Sequence, residues 1–160
     1  MRKLLIIGIG NEMRQDDGLG RHVARILARR SAPGVTVVES AGEGTSLIEL
    51  WKWHDQVILI DAFSSDSTPG LLHSIDASIT RVPQQLFHAS SHAFGIAEAV
   101  EVSRRLDILP ATVLIYGIEG EDFGHGAGLS ESVSDKINDL LDVVDAKMRE
   151  LLHARSRQVP

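Results

Sequence analysis

Two adjacent aspartates, Asp16 and Asp17, stand in a glycine-rich stretch, L-L-I-I-G-I-G-N-E-M-R-Q-D-D-G-L-G, residues 4–20. Gly8 and Gly10 follow an apolar run as a dinucleotide-binding turn requires, but Met13 occupies the place of the third glycine. A phosphate site wants backbone N–H groups and positive charge. The acids here repel phosphate and suit a cation. More acids and histidines recur after later apolar runs: Glu39, Ser40 and Glu43, then Asp61, His92 within S-S-H-A-F-G, and finally Glu119, Glu121, Asp122 and His125. Carboxylate with imidazole is the ligand set of a borderline divalent cation such as nickel or zinc. Each residue also has a plainer reading. Asp17 can cap a helix with Asp16 solvated, and His92 can be a helix cap or a core histidine. Glu43 can be an exposed acid in a tight loop, and His125 loop decoration. Asp61 ends an apolar run, where a carboxylate is costly unless paired or liganded.

These residues need a scaffold that gathers them. Short apolar runs at 3–9, 35–39, 56–62 and 111–118 read as strands of a mostly parallel sheet. Helical spacing predicts helices at 19–30, 45–53, 93–106 and 130–154, the last starting at Ser130, with a short helical turn at 84–87. Asp17 is placed to cap the first helix. The link at 63–70 is too short for a helical crossover, so the strand at 71–75 should run antiparallel to its neighbours. Strand and helix alternate, which means an α/β fold with helices on both faces. The expected organisation is one domain over 1–154 with a frayed tail at 155–160. In such sheets, sites form beyond the carboxyl ends of the strands, the edge on which the acids and His92 fall.

Composition narrows the function classes. The chain has 160 residues, 43% of them hydrophobic, and a formal charge of −6, which supports a sizeable core and argues against a nucleic-acid partner. The absence of cysteine removes thiolate ligands, disulfides and cysteine nucleophiles. Ser90 and Ser91 lack a G-x-S-x-G elbow, and no H-E-x-x-H is present. Neither a secretory signal pattern nor a long apolar run is seen, so the expectation is a cytoplasmic protein without membrane insertion.

G-I-G-N-x-x-x-x-D-D-G-x-G at 8–20, I-D-A at 60–62, S-S-H-A-F-G at 90–95 and G-I-E-G at 117–120 resemble the hydrogenase maturation proteases. These endopeptidases trim the C-terminus of the large subunit of nickel-iron hydrogenases. The resemblance spans nearly the whole chain. It implies a three-layer α/β/α sandwich around a five-stranded mixed sheet with one antiparallel strand. It also implies that Asp17, Asp61 and His92 bind nickel that belongs to the substrate, a site that zinc or cadmium can also occupy. The partner would be the large-subunit precursor, recognised after nickel insertion and cut just beyond its metal-binding cysteine motif. Asp17 or Asp16 would activate the attacking water. Gly42, Glu43 and Gly44 match a stretch near the cleavage site, although the family often has D-G-G-T there and this chain has E-S-A-G-E-G-T. Gly120 stands where proline is usual. Two alternatives from other classes are a self-sufficient metal-dependent peptidase or amidase of related fold, and a receiver-like signalling domain. The latter would use Asp16, Asp17 and Asp61 but lacks a lysine after the last strand.

Overall fold

The structure is a computed structural model describing residues 4–30 and 32–157. Five strands form one sheet: β1 (Leu4–Ile9), β2 (Val35–Ser40), β3 (Gln56–Phe63), β4 (Leu72–Asp76) and β5 (Thr112–Glu119). Their spatial order is β2-β1-β3-β5-β4. All neighbours are parallel except β4, which pairs antiparallel with β5 in the register Ser74 to Tyr116. The short link before β4 has this consequence, as the sequence led us to expect.

β1, β3 and β5 are buried on both faces, so their sequences are apolar without alternation. One face carries Leu4, Ile6, Ile58 and Ile60 against helices α1 (Leu19–Arg30), α4 (Glu131–Ser134) and α5 (Ile137–Ser156). The other carries Leu5, Ile7, Val57 and Leu59 against α2 (Gly44–Trp51) and α3 (Ile96–Arg105). Trp51 is fully buried there, its Nε1–H donating to Ser103 Oγ at 3.1 Å. Phe63 is core too, whereas Trp53 is 67% exposed beside Lys52. The layers are the expected α/β/α sandwich. Among the described residues no helix is long and apolar enough to cross a membrane.

Three local expectations change. The helix expected to run unbroken from Ser130 is two helices. Lys136 N–H reaches back three residues to Val133 C=O, a tightened turn that still leaves Val133 and Ile137 in one apolar cluster. The last helix continues through Ser156, past the expected 154. Residues 158–160 of the expected tail, and Lys3 of the first strand, lie outside the described residues. The third helix starts at Ile96 rather than 93, behind Gly95 at its cap.

α1 lies unusually close to the sheet. A Cβ on Gly20 would stand 2.2 Å from Ile9 O and 2.3 Å from Ile60 O, so only glycine lets the helix settle between β1 and β3. This close packing brings the segment preceding α1 down onto the carboxyl ends of those two strands.

Candidate active site

The chain leaves β1 for β2 on one side and later places β3 on the other. The crevice between β1 and β3 is therefore the switch point of the sheet, where such folds bind ligands. A cavity of about 430 Å³ opens there, and Asp17, Asp61 and His92 all line it.

Asp17 sits in a 3-10 turn, Gln15–Gly18, rather than at the cap of α1 as expected. Its Oδ2 accepts a hydrogen bond from Asn11 N–H at 3.0 Å, so the acid fastens its own loop instead of the helix. Gly10 makes the turn possible: its φ is +142°, and a Cβ there would stand 1.8 Å from Asp17 O. Burial raises the Asp17 carboxyl above its ordinary range, against the opposing pull of the Asn11 N–H and of Arg14, His92 and Arg21.

Asp61 is the antepenultimate residue of β3 and is buried. Its Oδ1 accepts from Ala62 N–H at 2.8 Å. Burial pushes its carboxyl well above the ordinary range and the negative charge of Asp17 pushes it further, while the Ala62 N–H opposes both. The fold thus brings two mutually repelling carboxylates to one cavity, Asp17 from the 3-10 turn and Asp61 from β3, an arrangement that favours positive charge between them.

His92 is neither a helix cap nor a core residue. It is half-buried in the loop before α3. Its Nε2 meets Ala41 O at 3.0 Å. A carbonyl only accepts, so Nε2 is the donor, and in the neutral ring Nδ1 is the nitrogen that holds the lone pair. An imidazole whose second nitrogen is held by a backbone carbonyl is oriented as metal-binding histidines commonly are. The loop itself is tied down by Ala89 N–H to Ser64 Oγ at 2.8 Å and Arg14 Nη1–H to Ala89 O at 3.0 Å. Arg14 also stands 3.9 Å from Asp17 Oδ2, so one guanidinium links the aspartate and histidine loops. Nothing in the spacing marked Arg14 or Ser64 for this duty.

The three side chains share the cavity without closing on a common point. Among the described residues, no three of His, Asp and Glu stand close enough to enclose an ion. The donor set still fits a borderline divalent cation.

The other candidates fall elsewhere. Asp16 is fully buried and outside the cavity lining. Its Oδ2 accepts from Glu121 N–H at 2.8 Å, Asp122 N–H at 2.9 Å and Ser130 Oγ at 2.8 Å, and its Oδ1 from Ser130 N–H at 2.7 Å. These donors saturate the carboxylate, so the structure does not bring Asp16 to the chemistry. Gly42 lines the cavity, and Gly44 packs against the Phe94 ring. Glu43 caps α2 with bonds from Thr45 N–H and Ser46 N–H, each 3.0 Å, and from both hydroxyls. Those donors pull its carboxyl down to about 2. Glu119 is buried at the sheet end, bonded by Ser65 and by His73 Nε2 at 3.1 Å. Glu121 and Asp122 stay with the Asp16 clamp.

Comparison with known proteins identifies the family. The hydrogenase maturation protease family model matches residues 21–147. The hydrogenase expression/formation protein HupD of Bradyrhizobium diazoefficiens is 26% identical over 145 residues, covering 88% of this chain and 75% of that protein. The hydrogenase 2 maturation protease of Escherichia coli K12 is 24% identical over 152 residues, covering 92% of each. The solved structure of the hydrogenase maturating endopeptidase HybD from Escherichia coli has the same fold, with a TM-score of 0.74 and 22% identity over 94% of this chain and 93% of that one. With most of its length under that family model and its sheet in the same arrangement, the chain belongs to the hydrogenase maturation protease family.

Proposed function

We propose that this protein is an endopeptidase that removes a C-terminal peptide from the large-subunit precursor of a nickel-iron hydrogenase after nickel insertion. It recognises the substrate's nickel through Asp17, Asp61 and His92. The observation that carries this reading is their meeting at one cavity from three separate loops or strand ends. A buried carboxylate, Asp61, whose proton affinity the negative charge of the half-buried Asp17 raises further, with an imidazole oriented by Ala41 O, forms a cation-seeking wall.

The chain's own part in hydrolysis falls to Asp17. Its carboxylate lines the cavity, which places it within the site as the candidate general base. It takes a proton from water as the water oxygen adds to the scissile carbonyl carbon. The C–N bond then breaks, and the proton passes to the leaving amine. Asp61 and His92 orient the nickel-bearing segment, so that the scissile bond lies against Asp17. Asp16 serves the fold and leaves the base role to its neighbour.

Intact-mass spectrometry of the precursor, incubated with this protein with and without nickel loaded, tests the reading. Loss of a short C-terminal peptide from the nickel-loaded form alone is expected. Cleavage of both forms would remove nickel recognition, and cleavage of neither would remove the processing role.

A further inference from the structure

β2 ends the sheet and pairs only with β1. The bonds from Leu4 N–H to Gly34 O at 3.1 Å and from Gly10 N–H to Ser40 O at 3.0 Å set the phase of the ladder. In a parallel pair, alternate residues turn both backbone groups to the neighbour and the others turn both away. Thr36, Val38 and Ser40 therefore bond β1, while Val37 and Glu39 direct N–H and C=O outward. Among the described residues nothing bonds those outward groups. Two residues further on, Ala41 offers its C=O to His92 Nε2. The free row of backbone groups thus runs straight to the histidine of the cavity.

This edge also lacks the usual defences against pairing. Val35-Thr36-Val37-Val38 holds no lysine, proline or bulge, and the one charge, Glu39, is tied to Arg21 and Arg25. Beside it lies a second cavity, of about 260 Å³, walled by Leu27, Ala28, Val35, Val37 and Met148, with the Arg30–Asp145 ion pair at its rim. β2 therefore joins two cavities, one at its carboxyl end and one along its first half.

We infer that the C-terminal tail of the precursor binds as an added strand on the free edge of β2, antiparallel to it, with an apolar side chain of the tail in the Leu27–Val37–Met148 cavity. The inference rests on the processing role proposed above and names how that substrate is held. The direction follows from the order of parts. The metal-bearing segment occupies the first cavity, and the tail leaves it downward along β2. At ~3.4 Å per residue, the stretch from Ala41 back to Val35 takes roughly six tail residues, alternate ones facing the second cavity. Main-chain bonds would supply affinity, and the apolar cavity would supply choice.

Cleavage kinetics on the nickel-loaded precursor, with hydrogen exchange in the presence of a synthetic peptide of its C-terminal extension, test this. Val37→Pro deletes an outward N–H and keeps the β1 ladder. Ala28→Trp, at an exposed position of α1, fills the second cavity from the surface side. Each should raise KM roughly tenfold, with the larger part of the loss in KM rather than kcat. The peptide should slow exchange at the Val37 and Glu39 amides. Unchanged KM in both variants, where the wild type cleaves, or protection only elsewhere, would overturn the edge site and leave the protease. A wild type that leaves the precursor uncut overturns the processing role instead, and the exchange pattern then decides the edge by itself.

Discussion

Asp16 and Ser130 lie 114 residues apart and are joined twice: Ser130 N–H donates to Oδ1 at 2.7 Å and its hydroxyl to Oδ2 at 2.8 Å. Ser130 precedes α4 at its cap position, yet its hydroxyl serves Asp16 and makes no cap bond. Gln15 N–H to Gly126 O and Gly126 N–H to Met13 O, both 2.8 Å, extend the same seam. The loop after β5 thereby holds the turn that presents Asp17. Asp16→Ala would strand four donors in a buried place, at a cost of about 3 kcal/mol. For a chain of this size that lowers Tm by roughly 6–12 °C. Scanning calorimetry reads the shift, and a change within a degree or two would show that the seam is dispensable.

Asp61 carries a stability penalty that its neutral counterpart lacks. Its folded carboxyl is raised above the ordinary value of 3.8, so the folded state holds the proton more tightly than the unfolded state does. The resulting stabilisation is present below the unfolded value and is lost as pH rises through the folded one. Asp61→Asn keeps an oxygen for Ala62 N–H and removes the charge. In chelator-treated protein it should be more stable than the wild type at pH 7, by about 1 kcal/mol, with the gain fading towards pH 4. Denaturant melts at several pH values measure this. Cleavage of the precursor should fall at least ~100-fold in the same variant. Normal cleavage would remove Asp61 from the site.

Cation binding at this wall should be linked to proton release. Asp17 and Asp61 both have raised carboxyls that must ionise to ligate, and Nδ1 of His92 must be unprotonated. Affinity for nickel ion alone should therefore strengthen as pH rises. Titration calorimetry in two buffers of different ionisation enthalpy should show protons leaving. His92→Ala should weaken binding roughly 10- to 100-fold. A pH-independent affinity, or one unmoved by the histidine variant, would separate these residues from metal.

Glu43 offers an acid-side test away from the cavity. Its carboxyl is lowered to about 2 from 4.5 by the amides and hydroxyls of Thr45 and Ser46. A lowered group lends stability above its unfolded value and loses it as pH falls through the folded one. Glu43→Gln should therefore be less stable than the wild type at pH 6, and the difference should close between about pH 4.5 and 2. Processing should be retained, since the acid faces the start of α2. Loss of cleavage with an intact fold would restore Glu43 to the substrate site.

Much of the fold was legible because its signals are local. Unalternating Leu, Ile and Val runs mark strands buried on both faces, and the short link at 63–70 excluded a parallel β4. The break between α4 and α5 was hidden because Val133 and Ile137 keep helical spacing across it. The cap of α2 was missed because Glu43 sits among glycines that suggest a ligand loop. Residue type and spacing alone did not separate the roles of the two aspartates at 16 and 17. One residue turns the side chain by a large angle in a 3-10 turn, and only the packing partners determine which of the two faces solvent-filled space.

By itself, the sequence determined the α/β alternation and the acidic carboxyl edge, which follow from residue type and spacing along the chain. The choice of Asp17, Asp61 and His92 among those polar residues came from the resemblance of the motifs to a family. Only the tertiary structure decided which acids are spent on the fold, how His92 is oriented by Ala41, and that β2 leaves a bare edge between two cavities. Those outcomes depend on which distant donors reach a given carboxylate or carbonyl, and pairings such as Asp16 with Ser130 leave no periodicity to read.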